Sequence, residues 1–365
     1  MNYIGSKKTL LPFLYETISS VTSEKDGVFV DLFAGTGIVG SFFKSKGYSV
    51  ISNDLQYYSY VLNRNYIGNR KKLCFEGLKK EIEQQKEKAD NRRQGVLFPL
   101  NEDFSTDYII DYLNDLTGKK GFIFQNYTVS GTKRQKYERN YFSEENAEKC
   151  DAIRDQIEIW KIDGKITEDE YYFLLASLLE AIDRVANTAS VYGAFLKKLK
   201  KTALNPMKLT PAGFSVTEKE CRVFNLDAND LIKKISCDIL YLDPPYNERQ
   251  YSANYHLLET IAKNDKPKIK GKTGLRDYKD QKSRYCVKND VKNAFAELIK
   301  NAKARFIFLS YNNEGLLNIE DIQQIFTEKG IYGLVKKDYS RFKSDSAREY
   351  NSDKTVEYLH YCICE

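Results

Sequence analysis

"VFVDLFAGTGIVG", residues 28–40, runs from an apolar β-branched stretch through a glycine-broken turn into the start of an apolar helix. "VFVDL" has the composition of a buried strand, and "IVGSFFKSKG" continues as a helix ending near Gly47. "YSVISND", 48–54, is a second strand with an amide and an acid at its carboxyl end. Strand, glycine turn, helix and strand in that order open a doubly wound α/β sheet. "GTGIVG" from Gly35 to Gly40 matches G-x-G-x-x-G, and Asp54 follows Gly35 by 19 residues. Glycines let the backbone approach a bound cofactor, and an acid at that distance suits ribose hydroxyls. On these residues alone a nicotinamide dinucleotide and S-adenosylmethionine both fit.

The sheet signal then lapses. Residues 76–90 look like a polar helix, and from Ser143 a helical face carries Ala147, Cys150, Ile153, Ile157 and Trp160. Thr167 and Glu170 have the spacing of a capping box that opens a further helix. Strand-like segments return with "CRVFNLD", "CDILYLD", "ARFIFLSY", "IYGLVKKDY" and "TVEYLHYCIC". The expected organisation is a catalytic α/β domain over 1–64 and 216–365, split by a mainly helical insertion over 65–215.

Composition narrows the chemistry. Charged residues make up 30% and no apolar run is long enough to span a bilayer, so a globular, cytoplasmic protein is expected. The seven cysteines are scattered without C-x-x-C spacing and read as thiols in a reducing compartment. Only two histidines are present, which argues against a histidine-built metal site or a histidine-based triad; no metal is expected. A net charge of +6 is compatible with nucleic acid and equally with solvated lysine faces.

"CDILYLDPPYNERQY", 237–251, resolves the choice of cofactor. Asp243 stands at the end of an apolar strand, where ligands of open α/β sheets bind. Pro244 and Pro245 fix an extended backbone and remove two N–H donors. Acceptors remain, with the aromatic face of Tyr246 beside them. That set suits an exocyclic amino group on a planar base, adenine or cytosine, and has no use in hydride transfer.

With these pieces the sequence resembles the Dam-like, alpha-class DNA adenine-N6 methyltransferases, which depend on S-adenosyl-L-methionine. The resemblance rests on "NYIGSK" (2–7), "DLFAGTG" (31–37), "ND" (53–54), "FNLDA" (224–228), "DPPY" (243–246) and "FIFLSYNNEG" (306–315), in the family's order. "YGAFLKK" (192–198) and "DPPYNERQYSANYH" (243–256) resemble the subgroup found in type II restriction–modification systems. It implies a Rossmann-like fold with a target-recognition insertion. It also implies methyl transfer to adenine N6 in double-stranded DNA, as the protective partner of a restriction endonuclease. In that scheme Asp31, Phe33, Ala34, Gly35 and Gly37 form the cofactor loop, Asp54 binds ribose, and Asp227 lies near the cofactor adenine. Tyr3 and Lys7 hold the methionine part, and Asp243 borders it. The family often carries an aromatic residue where this chain has Ala228. Asp243 and the Pro244 carbonyl accept the protons of the target amino group, Pro245 stiffens the loop, and Tyr246 stacks on the flipped base.

Two lysine-rich stretches are candidate phosphate surfaces. Residues 191–208 hold five lysines and no acid, among them Lys197, Lys198, Lys200 and Lys201. Residues 264–288 hold nine basic residues against three acids, among them Arg276, Lys282 and Arg284, and Arg249 lies just upstream. Lys133, Arg134 and Arg139 in "YTVSGTKRQKYERNYF" are candidates for base edges. An RNA adenine methyltransferase, an NAD-dependent oxidoreductase and a catalytically silent DNA-binding module are the competing readings. The oxidoreductase leaves "DPPY" without a role, and two intact motifs argue against the silent module.

Overall fold

A computed structural model describes residues 5–23, 26–79, 106–340 and 354–365. Seven strands form one sheet: β1 (Val28–Asp31), β2 (Ser49–Asn53), β3 (Cys221–Phe224), β4 (Cys237–Leu242), β5 (Ala304–Asn312), β6 (Gly330–Ser340) and β7 (Lys354–Cys364). Their spatial order is β3-β2-β1-β4-β5-β7-β6. β1 to β5 pair in parallel, whereas β7 runs antiparallel to both β5 and β6.

The order reverses between β1 and β4. Successive connections leave that point in opposite directions, which opens a crevice beyond the carboxyl ends of the two strands. "DLFAGTG" leaves β1 and "DPPY" leaves β4, so motifs 212 residues apart emerge side by side. Asp31 pairs in register with Tyr241, two residues before Asp243.

Apolar residues on both faces of the sheet explain its burial. One face receives the helix Leu11–Thr22, whose Leu14 and Ile18 are fully buried with Phe29, Phe43 and Tyr241. The other packs Leu298 and Phe326 of the helices Val291–Asn301 and Ile319–Thr327 onto Val30, Leu240 and Ile307.

Between β2 and β3 the described chain holds helices joined by loops, the longer helices at Glu144–Ile162 and Glu168–Arg184. Ser143 caps the first through its side chain. The Thr167–Glu170 capping box opens the second. Ala147, Cys150, Ile153, Ile157 and Trp160 are all buried, as their spacing anticipates. Of the expected polar helix over 76–90, residues 76–79 are helical and the remainder lies outside the described residues.

The helical core reaches beyond 65–215. Tyr58, Val61 and Leu62 of the helix Tyr57–Asn63, and Leu257, Leu258 and Ile261 of the helix His256–Lys263, belong to it. The segments following β2 and β4 therefore form the seam between helical core and sheet.

Candidate active site

One pocket lies at the strand reversal, between the loops that follow β1, β2, β3 and β4. Its first wall is the glycine turn. Gly35 and Gly37 adopt positive φ of 51° and 78°. Gly40 packs closely: a Cβ there would come within 2.7 Å of the end of the Ile67 side chain, which would have to shift. The Gly40 amide donates to Asp31 Oδ2 at 3.0 Å, fixing the helix start to the end of β1. Phe33, Ala34 and Gly35 line the pocket; Gly37 caps the helix behind it.

The second wall comes from β2 and β3. Asp54 Oδ2 accepts from the Gly35 amide and Oδ1 from the Gln56 amide, both at 2.8 Å. Asp227 lines the pocket and caps the short helix Ala228–Leu231, accepting from the Asn229 amide at 2.8 Å. Where the family often carries an aromatic, Ala228 is small and buried. Tyr285, from a turn 57 residues onward, lines the wall instead. The Tyr285 ring meets Phe33 edge-on at 4.9 Å, and its hydroxyl donates to Asn229 Oδ1 at 2.8 Å.

The third wall is "DPPY". Asp243, Pro244, Pro245 and Tyr246 all line the pocket. The Tyr246 carbonyl accepts from the Leu316 amide at 3.1 Å, and its ring meets Tyr311 edge-on at 6.5 Å. Gly5 packs on the Tyr246 hydroxyl, where an added Cβ would stand 3.3 Å away.

Lys7 is buried beneath this wall. Its ammonium lies 3.3 Å from Asp243 Oδ1 and 2.5 Å from Glu357 Oε1. In this structure Lys7 thus serves two protein carboxylates, one of them at the centre of the expected chemistry. Tyr3 lies outside the described residues.

Burial dominates the electrostatics. It pushes the Asp31 carboxyl up to about 8 and Asp54 up to about 7, in both cases against backbone amides that favour the ionised form. Asp243 is pushed up to about 6 by burial, with the Lys7 ammonium opposing the rise. Burial also penalises the Lys7 charge, yet the Asp243 and Glu357 carboxylates hold its pKa well above the ordinary value.

A fourth wall was not anticipated. Gln250 clasps the segment 279–286 from both sides: its Oε1 accepts from the Ser283 amide at 2.8 Å and its Nε2 donates to the Ser283 carbonyl at 3.2 Å. Gln281 donates to the buried Glu259 at 2.6 Å, and Glu259 also accepts from the Tyr58 amide at 2.9 Å. Gln281, Ser283 and Tyr285 consequently close the pocket from the basic stretch. Amide side chains in loops carry no periodicity, so the sequence offered no signal for this clasp.

The candidate DNA contacts divide in two. Lys133, Arg134, Lys197, Lys198, Lys201, Arg249 and Lys282 are exposed. Lys200 is half-buried and donates to the Thr188 carbonyl at 2.8 Å. Arg139 and Arg276 do not present themselves to a ligand. Arg139 is buried and donates to the carbonyls of Gly271, Lys272 and Asn126. Arg276 is buried in a two-point pair with Asp265. Arg284 is half-buried and bound to Asp290 and Glu297. A guanidinium fork satisfies several acceptors at once, which suits it to joining loops as well as to reading bases.

Residues 3–325 match the family model of the D12 class N6 adenine-specific DNA methyltransferases. The chain belongs to that family. It is an enzyme, a DNA adenine-N6 methyltransferase. Among its relatives, the type II methyltransferase M.NlaIII of Neisseria lactamica is 50% identical, over 99% of this chain and 98% of its own. The type II methyltransferase M.FokI of Planomicrobium okeanokoites is 41% identical over 99% of this chain, which spans 52% of that relative. The type II methyltransferase M.CviAII of Paramecium bursaria Chlorella virus 1 is 37% identical over 100% of this chain and 99% of its own. The methyltransferase contains, among its described residues, no group of His, Cys, Asp and Glu able to hold a metal ion. No described helix is long and apolar enough to cross a membrane.

Proposed function

We propose that the methyltransferase takes its methyl group from S-adenosyl-L-methionine and transfers it to a specific adenine in double-stranded DNA. On this reading it is the modification enzyme of a type II restriction–modification system and works in the cytoplasm, where that DNA lies. The observation that carries the proposal is the meeting of the β1 glycine turn and the β4 "DPPY" loop in one pocket at the sheet reversal. The pocket's residues fit the cofactor. Asp54 and Asp227 provide acceptors for hydroxyl and amino groups, and Phe33, Ala34 and Tyr285 provide apolar surface. When bound, the cofactor supplies an electrophilic methyl group on a sulfonium.

The chain's own residues act on the base. The Asp243 carboxylate accepts one proton of the adenine amino group in a hydrogen bond, and the Pro244 carbonyl accepts the other. Both bonds draw the nitrogen lone pair out of conjugation with the ring and make it a nucleophile. An ionised Asp243 is required, and the Lys7 ammonium at 3.3 Å favours that state. Tyr246 offers a stacking face to a base turned out of the duplex. In this reading Lys133, Arg134 and the exposed lysines of 197–201, in the insertion between β2 and β3, read the target, and the exposed Arg249 and Lys282 hold phosphates.

Incubation of the protein with S-adenosylmethionine labelled in its methyl group, beside duplex DNA and RNA, tests this reading. Label appearing as N6-methyladenine at one sequence of duplex DNA is expected. Transfer confined to RNA, or binding of NAD in place of S-adenosylmethionine, would overturn it.

A further inference from the structure

Glu357 is the acid that the sheet topology brings beneath the reacting centre. β7 runs antiparallel, so its amino-terminal half lies at the carboxyl ends of the parallel strands, and Glu357 pairs in register with Asn312 near the end of β5. An acid here is costly: Glu357 is 6% exposed in a strand whose neighbours Leu359 and His360 are fully buried. A buried carboxylate persists only where partners compensate it. Two are present. Glu357 Oε1 lies 2.5 Å from Lys7 Nζ and accepts from Ser310 Oγ at 2.9 Å.

We propose that Glu357 is a positioning residue for methyl transfer: held by Ser310 on β5, it anchors the Lys7 ammonium so that the ammonium lies on the Asp243 carboxylate. The proposal rests on the reading that Asp243 accepts a hydrogen bond from the target amino group. Lys7 has a long stem and three donors, and without an anchor it has no reason to stay in one place. Its Glu357 contact is shorter than its Asp243 contact, so Glu357 sets where the ammonium sits and Asp243 takes the remaining charge. The fixed pair delivers Lys7 from the segment before the helix Leu11–Thr22, and Asp243 from β4, to one point.

The groups facing Asp243 give the test its sign. Lys7 lowers its pKa and Glu357 raises it, while Asp31 from β1, Tyr241 from β4 and Tyr246 of the same loop also interact with it. If Glu357→Gln acted only by deleting a negative charge, Asp243 would ionise more readily and the acid limb of kcat would move to lower pH. If it releases Lys7, Asp243 loses its counter-charge and the acid limb moves to higher pH.

The experiment measures kcat, KM for S-adenosylmethionine and the pH profile for Glu357→Gln, Lys7→Met, the double variant and Asp243→Ala. Expected are a fall of roughly tenfold in kcat for Glu357→Gln, a size typical of coupling between contacting charged groups, with KM little changed. An upward shift of the acid limb and no further loss on adding Glu357→Gln to Lys7→Met are also expected. Ser310→Ala, a milder change, should move the acid limb the same way by less, and it carries the test if Glu357→Gln does not fold. A downward or absent shift, equal losses in both backgrounds, or a loss confined to KM would overturn the proposal. Activity in Asp243→Ala would overturn the reading of Asp243 itself, whatever Glu357 does.

Discussion

The Gly35 amide donates to the Asp54 carboxylate at 2.8 Å, tying the turn after β1 to the end of β2. Asp54 thus has two tasks, as an acceptor in the pocket and as the pin that holds the glycine turn. Asp54→Ala removes both. The expected loss is on the order of 1.5–3 kcal/mol in S-adenosylmethionine binding, the worth of hydrogen bonds to a charged group. Asp54→Asn keeps one acceptor for Gly35 and should lose less. Titration calorimetry of both variants checks this; unchanged affinity in the alanine variant would show that Asp54 does not touch the cofactor.

Three pocket carboxyls share one pH signature. Burial raises Asp31 to about 8, Asp54 to about 7 and Asp243 to about 6, from an ordinary value of 3.8. The folded protein therefore holds protons that the unfolded chain has released. Their contribution to stability is full below the ordinary carboxylate value of 3.8 and is lost progressively as pH rises from there to about 8. The melting temperature of the ligand-free protein should fall across that window, and Asp31→Asn should flatten the fall. A melting temperature that rises through the same window would contradict these shifts.

Lysines on the helical segment and arginines within it should behave differently. Replacing the exposed Lys197, Lys198 and Lys201 with alanine should weaken DNA binding and lower the slope of log K against log salt. Each lost phosphate contact lowers that slope by roughly 0.9. Lys200, engaged with Thr188, should add less. Arg139→Ala strands the carbonyls of Gly271, Lys272 and Asn126, so its cost should fall on stability, on the order of 3 kcal/mol. Thermal melts and binding assays over a salt series separate the two. A stable Arg139→Ala protein with altered sequence preference would return that residue to the interface.

The legible parts of this molecule were those written in adjacent residues. "DLFAGTG" and "DPPY" each combine strand, turn and chemistry within about ten positions, and the Thr167–Glu170 capping box lies within one helical turn. Their sequence context was enough to place them. Burial of charge was not legible. Arg139 reads as a candidate for base edges and Arg276 as a basic residue in a basic stretch, yet carbonyls and Asp265 enclose them, because only the tertiary fold decides which acceptors a guanidinium meets. Lys7 and Glu357 are 350 residues apart. A lone acid in the apolar "TVEYLHYCIC" was the one available signal that β7 carried more than packing. The extent of the helical core was hidden for a related reason. An amphipathic pattern in 57–63 or 256–263 announces an apolar face, but not whether sheet or helices will cover it.

Tyr246 offers the last test, of stacking against hydrogen bonding. Adenine in a duplex hides its amino group in pairing and stacking, so transfer requires extrusion of the base. Extrusion loses stacking energy, and an aromatic wall returns part of it. Tyr246 is well suited: it lines the pocket beside Asp243, and its backbone is fixed by the Leu316 amide. Its hydroxyl lies against Gly5, where an added Cβ would stand 3.3 Å away and crowd it. If the ring face carries the function, Tyr246→Phe should remain active. Tyr246→Ala should lose roughly 1–3 kcal/mol, the worth of one base–aromatic stack. A fluorescent adenine analogue at the target should brighten on binding the wild-type protein and respond differently with the alanine variant, which lacks the stacking partner. Should the phenylalanine variant prove as inactive as the alanine one, with both folded and binding cofactor, the hydroxyl and its seat on Gly5 would replace stacking as the reason for a tyrosine at 246.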